Sequence, residues 1–276
     1  MSTIDVDTEG NRIHVEVVGT GEPLLLLQDL DSPRMVPGLG SLIDLLAMNR
    51  QVILVDPAIR GWSDDNGTYT GEIAARDACA VLDALGVERA DVAGFWMGGC
   101  VAQELAIRYQ DRVRSLILSS TIARTDRWFT YMINTRLLLL KHAGLASGLG
   151  LGICTDFSPR SFHEYADLVA GFEAMGQAMM AEKESPDPRV DGNAYRRILN
   201  HVLEHDAVAR LADVHVPALV MVGGLDLMTT PYLARELADA LPNVQYLEFE
   251  RNSHVLCLEE PEKVANTVGE FLAARA

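Results

Sequence analysis

The stretch with the most chemical content is Ala90–Gln103, A-D-V-A-G-F-W-M-G-G-C-V-A-Q. A short β-type run ends in glycine, and a helix of small residues follows with Val101 and Leu105 on one face. Gly94 and Gly98 frame the corner in the form G-x-nucleophile-x-G, which lifts one side chain out of a sharp strand-to-helix turn. Side chains in place of those glycines would collide with neighbouring strands, and the apex is expected at a strained positive φ. An apex Ser, Cys or Asp attacks carbonyl carbon. Here the apex is Trp96, and an indole cannot make that attack. The chain keeps the pedestal and lacks the nucleophile. Ser63, Ser119, Ser120 and Cys100 are the displaced alternatives, but Cys100, one helical turn past the apex, is expected to point into the packing. His142, His163, His201, His205 and His215 have no partner visible in the sequence and read as surface or packing residues.

The elements that must hold this corner need a sizeable core. A chain of 276 residues buries roughly three quarters of its unfolded surface. A hydrophobic content of 49% beside 22% charged residues is ordinary for a soluble globular protein. The net charge of −16 argues against nucleic acid or an anionic membrane as partner, since both require a basic face. Cys79, Cys100, Cys154 and Cys257 form no C-x-x-C pair and have no histidine at metal-ligand spacing, so they read as reduced packing residues. No metal, nucleotide or flavin motif is present, and no cofactor is expected. The N-terminus shows no basic stretch leading into an apolar run, and Leu137–Leu140 is too short to cross a bilayer. A cytoplasmic protein is expected.

Along the chain, Ile4–Val6 and Arg12–Val18 alternate around Glu9-Gly10-Asn11 as a β-hairpin. Leu24–Leu27 and Val52–Val55 are continuous apolar runs of the kind buried on both faces. A helix is expected from about Leu39 to Met48, and another over Glu72–Leu85, closed by Gly86. Asp91–Ala93 leads into the corner and Cys100–Tyr109 leads out, followed by a strand at Ser115–Ser119. Ala218–Val222 and Val244–Phe249 are the last strands. Between them Thr230-Pro231 opens a helix with threonine as N-cap, and Pro261–Ala274 is the final helix. This alternation predicts a mostly parallel sheet covered on both faces. Residues 122–217 carry no strand-like run, only helical segments rich in aromatics and methionine, and read as a helical cap inserted after the sixth strand. The core is then 1–121 with 218–276.

Several blocks together resemble the α/β-hydrolase superfamily over essentially the whole chain, and most of all its capped lactonase, enol-lactonase and C–C-hydrolase branch. R-Y-Q-D-R-V-R-S-L-I-L at 108–118 is similar to the segment after the nucleophile helix. V-M-V-G-G-L-D-L-M-T-T-P at 220–231 matches the turn carrying the family's acid, which falls on Asp226. R-N-S-H-V-L-C-L-E-E-P-E-K at 251–263 matches the loop carrying its histidine, His254. The order corner, acid, histidine is the family's. The resemblance implies an α/β fold with an eight-stranded, mostly parallel sheet, helices on both faces and a cap. It also implies a general base, His254, oriented by Asp226.

The departures from the pattern shape the expected function. Trp96 replaces the nucleophile, and Gln28-Asp29-Leu30 replaces the strand-three signature that completes an oxyanion hole. A carboxylate at Asp29 would oppose an anion there. Only the ends of the usual D-x-R-G-x-G-x-S segment survive in Asp56–Ser63. These changes point to a non-hydrolytic, cofactor-free enzyme in which His254 removes a proton from a hydrophobic, aromatic or polyketide-type natural-product intermediate. C–C bond formation, cyclisation, isomerisation, elimination and cofactor-independent oxygenation are the reactions left open. Two alternatives stand beside it: a ligand-binding receptor without turnover, and a hydrolase in which His254 activates water. The expected catalytic residues are His254 and Asp226. The expected substrate contacts are Trp96, Met97, Phe95, Asp29, Leu30, Gln28, Trp62 and Trp128, with Trp96 as a flat floor for stacking. The expected partner is a hydrophobic small molecule, with neither nucleic acid nor membrane, and a homodimer is admitted.

Overall fold

The computed structural model describes residues 1–28, 32–58, 61–64, 67–181 and 192–274. Its centre is an eight-stranded sheet in the order β1-β2-β4-β3-β5-β6-β7-β8. The strands are β1 (Ser2–Asp7), β2 (Arg12–Val18), β3 (Glu22–Leu27), β4 (Arg50–Val55), β5 (Ala90–Phe95), β6 (Val113–Ser119), β7 (Ala218–Gly223) and β8 (Val244–Phe249). β1 and β2 form the hairpin, β2 joins β4 antiparallel, and every other pairing is parallel.

The uninterrupted apolar runs are explained by two layers competing for one strand. Side chains alternate across a sheet, and β3 divides its four leucines accordingly. Leu25 and Leu27 enter the core beneath α2 (Gly71–Ala84), α3 (Gly98–Arg108) and α10 (Pro231–Asp239). Leu24 and Leu26 enter the opposite core, against α1 (Leu39–Ala47) and α12 (Pro261–Ala273). β4, β6 and β7 split in the same way, with Ile53, Leu118 and Val220 on the first side and Leu54, Ile117 and Met221 on the second.

Local signals set the helix ends. Thr70 Oγ1 accepts from the Ile73 N–H at the start of α2, and Gly86 leaves it at φ +66°. Thr230 stands before α10 as expected, yet its side chain makes no capping bond; Pro231 supplies the preset φ of the first turn.

The described chain between β6 and β7 is helical: α4 (Arg127–His142), α5 (Leu145–Asp156), α6 (Pro159–Glu164), α7 (Ala166–Ala181), α8 (Gly192–Glu204) and α9 (Val208–Leu211). It meets the core through a third apolar cluster, in which Phe129, Ile133, Leu199 and Val202 pack with Cys100, Ile122, Met228 and Leu233. No helix among the described residues is long and apolar enough to cross a membrane.

Candidate functional site

β5 delivers the corner to the middle of the sheet. A Cβ on Gly94 would lie 2.7 Å from both Ala102 Cβ and Gly99 Cα. One on Gly98 would lie 2.3 Å from the Leu27 carbonyl oxygen. Glycine is therefore required on both sides of the apex. Trp96 sits at φ +54°, and its N–H donates to the Ser119 carbonyl at 3.0 Å. Holding a bulky residue at this φ costs about 1–3 kcal/mol. The surroundings that impose it include the indole's own bond: Nε1–H donates to the backbone carbonyl of His254 at 3.2 Å. The apex side chain thus ties the β5–α3 corner to the histidine loop.

The acid turn and the histidine loop interlock through a second pair of glycines. A Cβ on Gly223 would come within 2.3 Å of the Asn252 and Ser253 carbonyl oxygens, and one on Gly224 within 2.6 Å of that of Glu250. This close approach lets Asp226 reach His254. Asp226 Oδ1 accepts from the N–H groups of Met228 and Thr229, both at 2.8 Å. Its Oδ2 accepts from Thr229 Oγ1 at 2.7 Å and from His254 Nδ1 at 2.9 Å. A carboxylate oxygen so placed accepts, so Nδ1 carries the imidazole proton and Nε2 is left as the base. Burial disfavours the imidazolium. The charge of Asp226 and its hydrogen bond outweigh burial and hold the His254 pKa above its ordinary value; Asp156 adds to the rise and Arg136 opposes it.

His254 lines a pocket whose floor is the core and whose roof is the helical insertion. Trp96, Met97, Thr121, Ile122, Met228 and Thr229 come from the core side, and Phe129, Ile133, Arg136, Asp156, Phe172, Leu199 and Val202 from the helices between β6 and β7. The Gly99 and Cys100 N–H groups at the start of α3 donate to the Trp96 and Met97 carbonyls at 3.1 and 2.9 Å, which leaves those of Met97 and Gly98 as the donors at this corner. The arrangement offers a buried base, an apolar chamber and amide donors at a helix start.

Of the residues singled out in the sequence, the structure gathers His254, Asp226, Trp96 and Met97. Phe95 is fully buried beneath the corner, its ring 6.3 Å from that of Trp96, and belongs to the core rather than the lining. Gln28 is buried along a separate pocket with Asp56, Tyr69 and Asp77. Trp62 and Trp128 are half exposed and absent from the lining. The Trp128 indole instead donates to the Leu227 carbonyl at 2.7 Å and braces α4 on the acid turn. Asp29 and Leu30 lie outside the described residues.

Cys100 departs from expectation in the other direction: it lines the pocket, because one helical turn returns it to the face of the apex. Ser63 is engaged with the Asp56 carbonyl and the His14 N–H. Ser119 and Ser120 are buried and do not line the pocket. His205, expected without a partner, contacts Gln103 Oε1 at 3.3 Å, and burial lowers its pKa to about 4.

One supporting residue escaped the sequence reading. Glu259, at the end of α11 (Leu256–Glu259), is buried and accepts from Asn252 Nδ2 (3.0 Å), the Ser253 N–H (2.9 Å), Ser253 Oγ (2.7 Å) and Ser161 Oγ. It clamps the two residues before His254. Its only trace in the sequence is Ser253 and Glu259 sharing the histidine block.

The comparisons agree with this geometry. The model of the alpha/beta hydrolase family matches residues 35–267. A carbamate hydrolase, RutD, of Azorhizobium caulinodans is 31% identical, covering 91% of this chain and 91% of its own. Among solved structures, a thermophilic esterase from Thermogutta terrifontis superposes with a TM-score of 0.83 at 24% identity, covering 99% of each chain. The enol-lactonase of Burkholderia xenovorans LB400 gives 0.82 at 23%, covering 99% of this chain and 100% of its own. These two likenesses establish the fold. The named hydrolase relative overturns the expectation of a non-hydrolytic enzyme. That expectation rested on Trp96 at the apex, whereas the structure also assembles a carboxylate-bonded imidazole facing a chamber, which hydrolysis can use. The chain belongs to the alpha/beta-hydrolase family.

Proposed function

We propose that this chain is a hydrolase of apolar acyl compounds (esters, lactones or carbamates) in which His254 activates water directly and no acyl-enzyme forms. The observation that carries this reading is the His254 Nδ1–Asp226 Oδ2 bond of 2.9 Å beside an apex occupied by Trp96. A positioned base with no attacking side chain at the apex calls for an external nucleophile, and water is the one hydrolysis requires. Nε2 takes a proton from water as its oxygen adds to the acyl carbon. The tetrahedral anion then collapses, and the imidazolium returns the proton to the leaving oxygen or nitrogen. The Met97 and Gly98 N–H groups are the donors left at the corner for the developing oxyanion, while Trp96 forms the wall against which the acyl group rests.

The test is a panel of aryl esters, lactones and carbamates, run on the native protein and on His254→Ala, with fluorophosphonate labelling read by intact mass. The expected result is hydrolysis by the native protein, a loss of about 10²–10⁴-fold in His254→Ala, and no stoichiometric label. Labelling of a serine would overturn the direct-water route. Absence of turnover across the panel would overturn the hydrolase.

A further inference from the structure

The helical roof carries one group that an apolar chamber does not need. Arg136 is almost fully buried, lines the pocket, and stands one turn beyond Ile133 and two beyond Phe129 on the inward face of α4. The guanidinium lies across α5 at Gly152, where a Cβ would fall 2.8 Å from Arg136 Nη2. Nη2 donates to Thr155 Oγ1 at 3.1 Å and to Asp156 Oδ1 at 3.3 Å. Asp156, about one fifth exposed, also lines the pocket. Burying an ion pair against Phe129, Ile133, Phe172 and Leu199 is costly, and a stable roof is as well served by apolar residues. Arg136, Asp156 and His254 all line this one pocket, so a ligand held at the base can extend to the guanidinium.

We propose that Arg136 is a specificity residue that binds a carboxylate on the substrate, so that the preferred substrates are apolar acyl compounds bearing a second, anionic end. This rests on the proposed hydrolase reading for the word substrate, though the recognition itself needs no turnover. A guanidinium presents its donors in a planar fork that matches a carboxylate. In the structure Asp156 is the carboxylate beside Arg136, and its partial exposure lets it turn to water as the ligand's own anion arrives. Asp156 is then a competitor, and removing its charge strengthens binding of an anion.

The experiment is calorimetric titration of the full chain with 4-phenylbutyrate and with the neutral 4-phenylbutanol. The native protein is expected to prefer the carboxylate by about tenfold or more. Arg136→Met should abolish the preference while still binding the alcohol, and Asp156→Asn, a milder change at a partly exposed side chain, should increase it. Equal affinities in the native protein, no detectable carboxylate binding, a preference that survives Arg136→Met, or weaker carboxylate binding in Asp156→Asn would each overturn the inference. Because binding is read without hydrolysis, a protein that turns nothing over can still pass. One that hydrolyses neutral esters and ignores the anion fails this inference alone.

Discussion

Replacing Asp226 with asparagine changes one atom, and the structure says which way the new side chain must sit. Oδ1 of Asp226 accepts from two backbone N–H groups, those of Met228 and Thr229. An amide nitrogen there would set donor against donor twice, so the asparagine oxygen takes that position. Its NH2 group then occupies the place of Oδ2, facing His254 Nδ1 and Thr229 Oγ1. Nδ1 loses its carboxylate acceptor and faces an N–H donor, with Thr229 Oγ1 at 3.2 Å as the other acceptor in reach, so the balance moves toward the tautomer with the proton on Nε2. The nitrogen needed as base is thereby blocked, with the fold otherwise intact. The expected loss in kcat/KM is about 10²–10⁴-fold, the usual worth of a general base. The assay is hydrolysis of the best acyl substrate of the panel across pH, with nitrogen NMR of labelled histidine to read the tautomer. A variant within threefold of native, or one whose Nδ1 remains protonated at neutral pH, would refute the reasoning.

Further expectations follow from neighbouring groups. Trp96→Phe keeps an aromatic wall but strands the buried His254 carbonyl. It should cost about 1–3 kcal/mol and lower Tm by roughly 2–10 °C for a chain of this size; an unchanged melting curve would remove the brace. Since His254 is held above its ordinary pKa by Asp226 and is proposed as the neutral base, the acid limb of kcat/KM should lie above pH 6.5. The linked stability has the matching sign: the contribution of the protonated ring is complete below the unfolded pKa and fades as pH rises through the folded one. A limb below 6.5 would contradict the assignment. Glu259→Gln turns one acceptor of the histidine-loop clamp into a donor, and kcat should fall about tenfold while KM moves little; a change confined to KM would show that Glu259 does not position the base.

Much of this site is legible because glycine and chemistry coincide. Gly94 and Gly98 announce a corner that sterics then enforce, and Gly223-Gly224 stands beside Asp226 for the same reason. The buried strands read directly from their apolar runs, whose alternation serves two layers at once. What escaped is set by tertiary direction. Nothing in the sequence says that Trp62 and Trp128 turn outward or that Cys100 faces the chamber. Glu259 looks like any charged residue at a helix end until its four donors are seen together. Arg136 sits in one of the helical segments rich in aromatics and methionine, and only the packing of α4 against α5 shows that it reaches the pocket. The apex misled in a different way: Trp96 records which side chain cannot attack, and nothing about water.

The most direct measurement is the intact mass of the native enzyme, acid-quenched during steady-state hydrolysis of an activated acyl substrate. With His254 acting on water, the protein retains its unmodified mass throughout while product accumulates without a burst. A population heavier by the acyl group, appearing within the first turnover and decaying as substrate is exhausted, would contradict the account.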